Sequence, residues 1–214
     1  MPLENSLDNL NRLKELTFGD HFNKPLDNSL DNLTQLKQLT FGDNFNHPLG
    51  NSLNNLTRLE KLIFGWHFNQ PLGNSLNQLT QLKELTFGDQ FNYPLGNSII
   101  QLSQLEQLTL DYEFNQVLDI PLNIKKLKLN CDSVHLIENL PNSIKELELD
   151  SEFDLELNNL PNSIKIIFFN QFSKYNKELN NLPHFLEKIY LPIEYNKEIK
   201  NINSQCVIIK QKIE

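Results

Sequence analysis

A stack of short coils around parallel strands is the architecture this sequence predicts. Three observations predict it: one phrase returning at a fixed interval, leucines inside it at strand and turn spacings, and a composition poor in helix formers. The phrase is LTFGDHFNKPL at 16–26, and it returns as LTFGDNFNHPL at 39–49, LIFGWHFNQPL at 62–72 and LTFGDQFNYPL at 85–95. Leu16, Leu39, Leu62, Leu85 and Leu108 open successive copies, each 23 residues after the last. The array continues through Leu127, Leu147, Ile167 and Ile189 at steps of 19, 20, 20 and 22, with a weak final copy, CVIIK, at 206–210. The chain contains no alanine, the best helix former, and much asparagine, a poor one, so long helices are not expected.

Within each copy lies an L-x-x-L-x-L core: LKQLTF (36–41), LEKLIF (59–64), LKELTF (82–87), IKKLKL (124–129), IKELEL (144–149) and LEKIYL (186–191). That core on a period of roughly 20–29 residues is the signature of a leucine-rich-repeat solenoid. The expected fold is therefore a leucine-rich-repeat-like solenoid of about ten strands. Its parallel β-sheet lies on the concave side, and its convex side is 3₁₀ or irregular. It covers 1–214 as a single domain, with regular 23-residue repeats to about 117 and shorter, degenerate repeats of 19–22 residues over 118–214.

Each part of a turn follows from its own periodicity. In KQLTF, period-2 alternation sends Leu39 and Phe41 into the core and Gln38 and Thr40 to the open face of the sheet. A single copy cannot bury its apolar face, so neighbours are required. The glycine and proline of GDNFNHPLG turn the chain away from the sheet. Leu53, Leu56, Leu59 and Leu62 then recur every third residue, a period that suits 3₁₀-like turns better than an α-helix. Phe22, Phe45, Phe68, Phe91 and Phe114 form a buried aromatic spine. The asparagines after them (Asn23, Asn46, Asn69, Asn92, Asn115) bridge one turn to the next as a ladder. A second series, Asn28, Asn51, Asn74 and Asn97, is expected to cap the convex segment beside Ser29, Ser52, Ser75 and Ser98.

Composition narrows the function. A net charge of −8 argues against nucleic acid and anionic membranes, which need clustered Lys and Arg. No apolar run reaches the roughly 18 residues of a membrane helix, and MPLENSLDNL lacks the pattern of a secretory signal. Cys131 and Cys206 sit in different repeats without a CxxC or Cys/His spacing, and are read as buried free thiols of a reducing compartment. A cytoplasmic protein fits these features, and the sequons at Asn32 and Asn55 then stay unmodified.

The quoted phrase resembles the FNIP repeat, a short relative of the leucine-rich repeat named for a Phe-Asn-Ile-Pro core. That core stands here as Phe22-Asn23-Lys24-Pro25, Phe45-Asn46-His47-Pro48, Phe68-Asn69-Gln70-Pro71 and Phe91-Asn92-Tyr93-Pro94. The isoleucine is never kept, and Phe114-Asn115-Gln116-Val117 loses the proline. Later turns keep an echo, as in Phe153-Asp154, Tyr175-Asn176 and Tyr195-Asn196. The resemblance implies a protein-interaction module of social amoebae or of giant viruses that infect amoebae, working in the host cytoplasm if viral. Viral members often carry an N-terminal F-box and serve as substrate receptors of ubiquitin ligases. Here the repeats begin at Pro2-Leu3, so no F-box is expected within this stretch.

A protein partner is expected on the concave face, where solenoids display variable residues on a constant frame. Asp20, Asp43, Trp66, Asp89, Tyr112 and Cys131 share one position beyond the strands, and Trp66 breaks the Asp series. With outward-facing Ile63, it forms an aromatic and apolar anchor of the kind found in interfaces. The candidate contact residues are Trp66, Ile63, Tyr112, Asp43, Asp89, Lys126 and Lys128. Ile166 and Phe168 flank inward Ile167 and Phe169, giving either a second contact patch or a surface covered by the C-terminal segment, the latter being favoured.

Asp20 and Asp43 with His21 and His67 come nearest to a metal-ligating group, but Trp66 interrupts the row and no EF-hand loop or HExxH is present. No metal, cofactor or catalytic residue is expected, and the chain is read as non-enzymatic. Lys210 and Lys212 are expected to blunt the last strand. At the other end, Leu7, Leu10 and Leu13 lack a cap, which points either to a missing upstream cap or to end-to-end self-association. The function expected is a protein-binding scaffold, related to substrate receptors of the F-box type; a structural or virion-assembly role is the alternative, and an enzyme the remotest reading.

Overall fold

A computed structural model describes residues 6–131 and 133–211. The chain divides between Gln116 and Val117 into two compact units. Ten short strands, all parallel to their partners, give it a leucine-rich-repeat-like solenoid fold.

The first unit holds β1 (Glu15–Thr17), β2 (Gln38–Thr40), β3 (Lys61–Ile63), β4 (Glu84–Thr86) and β5 (Gln107–Leu110). Their register is the repeat itself: Leu16 pairs Leu39, Leu39 pairs Leu62, Leu62 pairs Leu85 and Leu85 pairs Leu108. Leu39 and Leu62 are fully buried while their strand neighbours face outward, as the alternation requires. The second unit holds β6 (Lys126–Leu129), a short helix α1 (Val134–Glu138), β7 (Glu146–Leu149), β8 (Ile166–Phe169), β9 (Lys188–Pro192) and β10 (Val207–Gln211). There Leu127, Leu147, Ile167, Ile189 and Ile208 fall in register.

Leucines three apart lie where the chain makes successive tight turns. Leu33 N donates to Leu30 O at 3.0 Å and Leu36 N to Leu33 O at 2.9 Å, and the same pattern recurs through Leu53, Leu56 and Leu59. Each turn thus carries one leucine inward, and a regular 3₁₀ helix is assigned only at Gly96–Ser98 among the described residues. The helix α1 was not anticipated. It follows extended Ser133, buries Leu136 and Ile137, and ends where Asn139 Nδ2 donates to His135 O.

The core of the first unit is a double aromatic column. The expected spine Phe22, Phe45, Phe68, Phe91 and Phe114 is present, with ring centroids 5.8–6.1 Å apart. Beside it runs a second column, Phe18, Phe41, Phe64 and Phe87, at 5.4–5.5 Å. Within one turn the two rings lie closer still, 4.0 Å for Phe64–Phe68 and 4.0 Å for Phe87–Phe91. Phe22 is half-buried; burial of each of the other rings contributes about 1.5–3 kcal/mol, and each stacked pair about 0.5–1.5 kcal/mol more.

The asparagine ladder is also present. The backbone N–H groups of Asn46, Asn69, Asn92 and Asn115 donate to the Oδ1 of Asn23, Asn46, Asn69 and Asn92, at 2.9–3.1 Å. The ladder is half-buried to exposed rather than deep in the core. The expected caps are a correction. Asn28, Asn51, Asn74 and Asn97 are exposed, and the turn is made one residue earlier by Asp27, Gly50, Gly73 and Gly96, whose φ values of 44–52° are left-handed. Ser52, Ser75 and Ser98 beside them are buried, and Ser98 Oγ donates to Gly73 O one turn back at 2.9 Å.

At the C-terminal end, Lys210 turns back on Tyr195, donating to its carbonyl with the ammonium 5.0 Å from the ring, so it does not project from the strand edge. Lys212, Pro2 and Leu3 lie outside the described residues. Cys131 is buried, whereas Cys206 is only half-buried, and both are free thiols.

Candidate functional site

The first unit's open sheet face is lined by side chains that the alternation turns away from the core. Thr40, Ile63 and Thr86 stand side by side, paired strand to strand in register. Just beyond the strands the chain passes through Gly42, Gly65 and Gly88. A Cβ at Gly65 would lie 2.4 Å from Gly42 O, and one at Gly88 2.4 Å from Gly65 O, so each turn closes directly on the backbone of the one before. The next residue of each turn forms a rim: Asp20, Asp43, Trp66 and Asp89. Backbone bonds hold the rim in step, His67 N donating to Asp43 O at 2.8 Å and Gln90 N to Trp66 O at 3.0 Å. Strands and rim enclose a shallow groove of about 360 Å³.

Trp66 is 51% exposed, although it sits on a fully ordered frame of backbone bonds. Its N–H lies 3.5 Å from Asp43 Oδ1, and the ring of the following His67 is tilted beside it at 6.5 Å. His67 Nδ1 is engaged with Gln90 Oε1 at 2.9 Å. Ile63 is half-buried, Asp43 exposed and Asp89 half-buried. Burial pushes the Asp89 carboxyl above its ordinary value, and the neighbouring carboxylates of Asp111 and Asp43 push it the same way. Tyr112 is 60% exposed beside Asp111, whose Oδ1 accepts from the Tyr112 N–H at 3.0 Å. Asp111 occupies the place held by glycine in the preceding turns, and it also lines the groove. Sequence reasoning passed over it, although the substitution of Asp for Gly at that repeat position was the signal.

The structure thus brings Asp43, Ile63, Trp66 and Asp89 together, with Tyr112 on the same unit. Lys126 and Lys128 belong to the second unit and are engaged in a ladder of ion pairs. Lys126 reaches Glu148 at 3.2 Å, and Lys128 reaches Glu148 at 3.1 Å and Asp150 at 2.9 Å. Burial opposes the Lys128 charge, but the bonds to Asp150 and Glu148 outweigh it and raise its pKa.

Ile166 and Phe168 face outward on β8; Phe168 continues through Tyr190 to Ile209 and Ile166 through Lys188 to Val207. Cover by the C-terminal segment was expected, but through Gln211 the chain takes another course. It pairs laterally as β10 with β9, and only the Gln211 side chain reaches back, donating to Phe169 O. Main-chain pairing at the free edge of β9 satisfies the backbone of a Val-Ile-Ile segment, which lying across the sheet does not. Among the described residues no group of three or more His, Cys, Asp or Glu is arranged to hold a metal, and no helix is long and apolar enough to cross a membrane.

Residues 135–172 match the family described as FNIP Repeat. Over that stretch the chain is similar to the FNIP repeat. The FNIP match runs from α1 through β7 and β8, over the shorter turns whose Phe-Asn phrase is only an echo. What those turns do repeat is NLPNSIK, at 139–145 and again at 159–165. No curated protein matches the chain. Among solved structures, the chain is similar to the giant-virus protein CroV588, described as a novel circular leucine-rich-repeat protein. The identity is 23% and the TM-score 0.62, covering 95% of this chain and 37% of that one. The internalin InlF of Listeria monocytogenes is 16% identical with a TM-score of 0.60, covering 99% of this chain and 71% of its own. TLR13, solved as a complex with ssRNA13, is 16% identical with a TM-score of 0.53, covering 84% of this chain and 33% of its own. These likenesses show the fold. The chain spans little more than a third of the length of CroV588.

Proposed function

We propose that the chain is a non-enzymatic protein-binding scaffold that seats a protein partner on its open sheet faces. One observation carries this reading: the inward positions of β2–β4 are invariant leucines, while the outward ones differ from turn to turn. Gln38 and Thr40 give way to Lys61 and Ile63 and then to Glu84 and Thr86, on a frame held by the same bonds in each turn. A constant frame with a variable display suits recognition. An exposed tryptophan with an apolar neighbour is a common interface anchor. Trp66, Ile63, Tyr112, Asp43 and Asp89 are the contact residues on the first unit, with Lys126 and Lys128 as polar contacts on the second. The likeness to the FNIP repeat over 135–172 supports a cytoplasmic receptor role, in the host if the protein is viral.

The test is capture of a partner from amoebal cytoplasm, purification of that partner, and titration against two variants. Trp66→Ala with Ile63→Ala alters the open face, and Arg58→Ala with Gln78→Ala alters the convex side. The reading expects the first to weaken Kd about tenfold or more and the second to leave it unchanged. The reverse result overturns it. A ubiquitin-ligase adaptor in the captured complex supports the receptor role.

A further inference from the structure

We infer that the first unit's groove is built for a cationic segment of the partner, an extended peptide whose arginine side chain lies on Trp66 between Asp43 and Asp89. The inference rests on the open-face reading above and adds the chemistry of what docks there. Four features converge on it. Asp43, Trp66 and Asp89 occupy one position in three successive turns, and adjacent strands are about 4.8 Å apart, so the two carboxylates flank the indole about 10 Å from each other. A guanidinium laid on that ring is within reach of both, and arginine combines ring stacking with forked bonding to carboxylate better than lysine does.

The charges are also left for an outside partner. Two acids elsewhere on the open faces are neutralised within the chain, Glu84 by Lys61 at 2.7 Å and Glu148 by Lys126 and Lys128. Among the described residues no lysine or arginine forms an ion pair with Asp20, Asp43 or Asp89. The half-buried Asp89 carboxyl is hydrogen-bonded to Asp111 and also faces Asp43, so the groove gathers acidic groups whose mutual repulsion an incoming cation relieves. Third, Trp66 stays half exposed, with the ring of His67 tilted beside it rather than stacked on it. Fourth, the strand side of the groove is uncharged at Thr40, Ile63 and Thr86, which leaves room for a peptide backbone.

The same charge pattern disfavours RNA on this face, since phosphates would meet the acidic rim.

Trp66 is the chain's one tryptophan, so tryptophan emission, excited selectively over the tyrosines, reports this groove alone. The protein is titrated with a short Gly/Ser peptide carrying two arginines three residues apart, with the same peptide carrying glutamates, and with single-stranded RNA. The inference expects a saturable change in tryptophan emission with the arginine peptide only, weakened by added salt. Asp43→Asn with Asp89→Asn is expected to weaken binding about tenfold while the fold, followed by circular dichroism, is kept. By anisotropy of the labelled peptide, Trp66→Phe retains most of the affinity and Trp66→Ala loses it. Saturation by the glutamate peptide or by RNA, or full affinity in the Asn double variant, overturns the inference. If the arginine peptide fails while the purified partner still loses affinity to Trp66→Ala with Ile63→Ala, the cationic assignment falls and the open-face reading stands. If that partner is also indifferent, both fall.

Discussion

The backbone N–H of Asn69 donates to Asn46 Oδ1 at 2.9 Å, one full turn back in the stack. The same oxygen accepts from Gln70 Nε2 at 2.9 Å, so one side chain satisfies two donors of the next turn. Removing it leaves a half-buried amide without its acceptor. Asn46→Ala is therefore expected to lower the free energy of unfolding by about 1–3 kcal/mol, whereas Asn46→Asp keeps the acceptor and loses less. Chemical denaturation of the three proteins checks this, and equal losses for Ala and Asp would count against the ladder.

Two glycines that look alike in the sequence differ in what surrounds them. A Cβ on Gly65 meets Gly42 backbone at 2.4 Å, while one on Gly19 meets nothing within 4 Å. Backbone cannot yield as a flexible side chain can. Gly65→Ala is expected to cost about 1–3 kcal/mol or more, and Gly19→Ala to be neutral or slightly stabilising. Thermal melts of both variants distinguish the positions.

Asp89 and Glu60 give opposite pH signatures. Burial, Asp111 and Asp43 raise the folded pKa of Asp89, so its charged form costs the fold at pH values above that pKa. Asp89→Asn is then stabilising at neutral pH, and its advantage shrinks as pH falls toward the ordinary value of 3.8. Hydrogen bonds from Lys37 and Lys83 hold Glu60 down at about 2, so its contribution is present above 4.5 and lost as pH falls toward 2. This side chain lies at the surface, about a third exposed, and salt is expected to screen most of its effect. Urea unfolding of Asp89→Asn and Glu60→Gln across the acid range, at low and high salt, reads both signs.

Trp66 and Phe68 are two residues apart and have contrasting roles. Trp66 is 51% exposed and Phe68 fully buried between Phe45 and Phe91. Trp66→Ala should change stability by less than about 1 kcal/mol, and Phe68→Ala should cost about 3–5 kcal/mol. A large loss at Trp66 would assign it to packing rather than to recognition.

Period made most of the fold legible. Strand register, inward leucines, the spine at Phe22 and the asparagine ladder all follow from a 23-residue repeat combined with an alternation of two. What escaped was set by contacts within or between turns that no period encodes. The stacking of Phe64 on Phe68 depends on how one turn folds back on itself. The left-handed turn at Gly50 and Gly73, one residue before the expected Asn caps, depends on backbone geometry. The lateral pairing of β10 was hidden because an apolar segment such as Val207–Ile209 suits either a cover or an edge strand. At the groove, Trp66 stood out as a break in the Asp series, but the closeness of Asp111 to Asp89 emerged only from the stacked turns.

The most direct test of the stacked register is a distance measurement across the first unit. With Cys131 and Cys206 replaced by serine, spin labels are placed on Thr17→Cys paired with Thr86→Cys, and on Thr17→Cys paired with Thr109→Cys. Three and four strand steps predict separations of about 14 and about 19 Å between the labelled backbones. Distances that lengthen together by one strand spacing support the stack; a Thr17–Thr109 separation beyond about 30 Å, or one no longer than Thr17–Thr86, contradicts it.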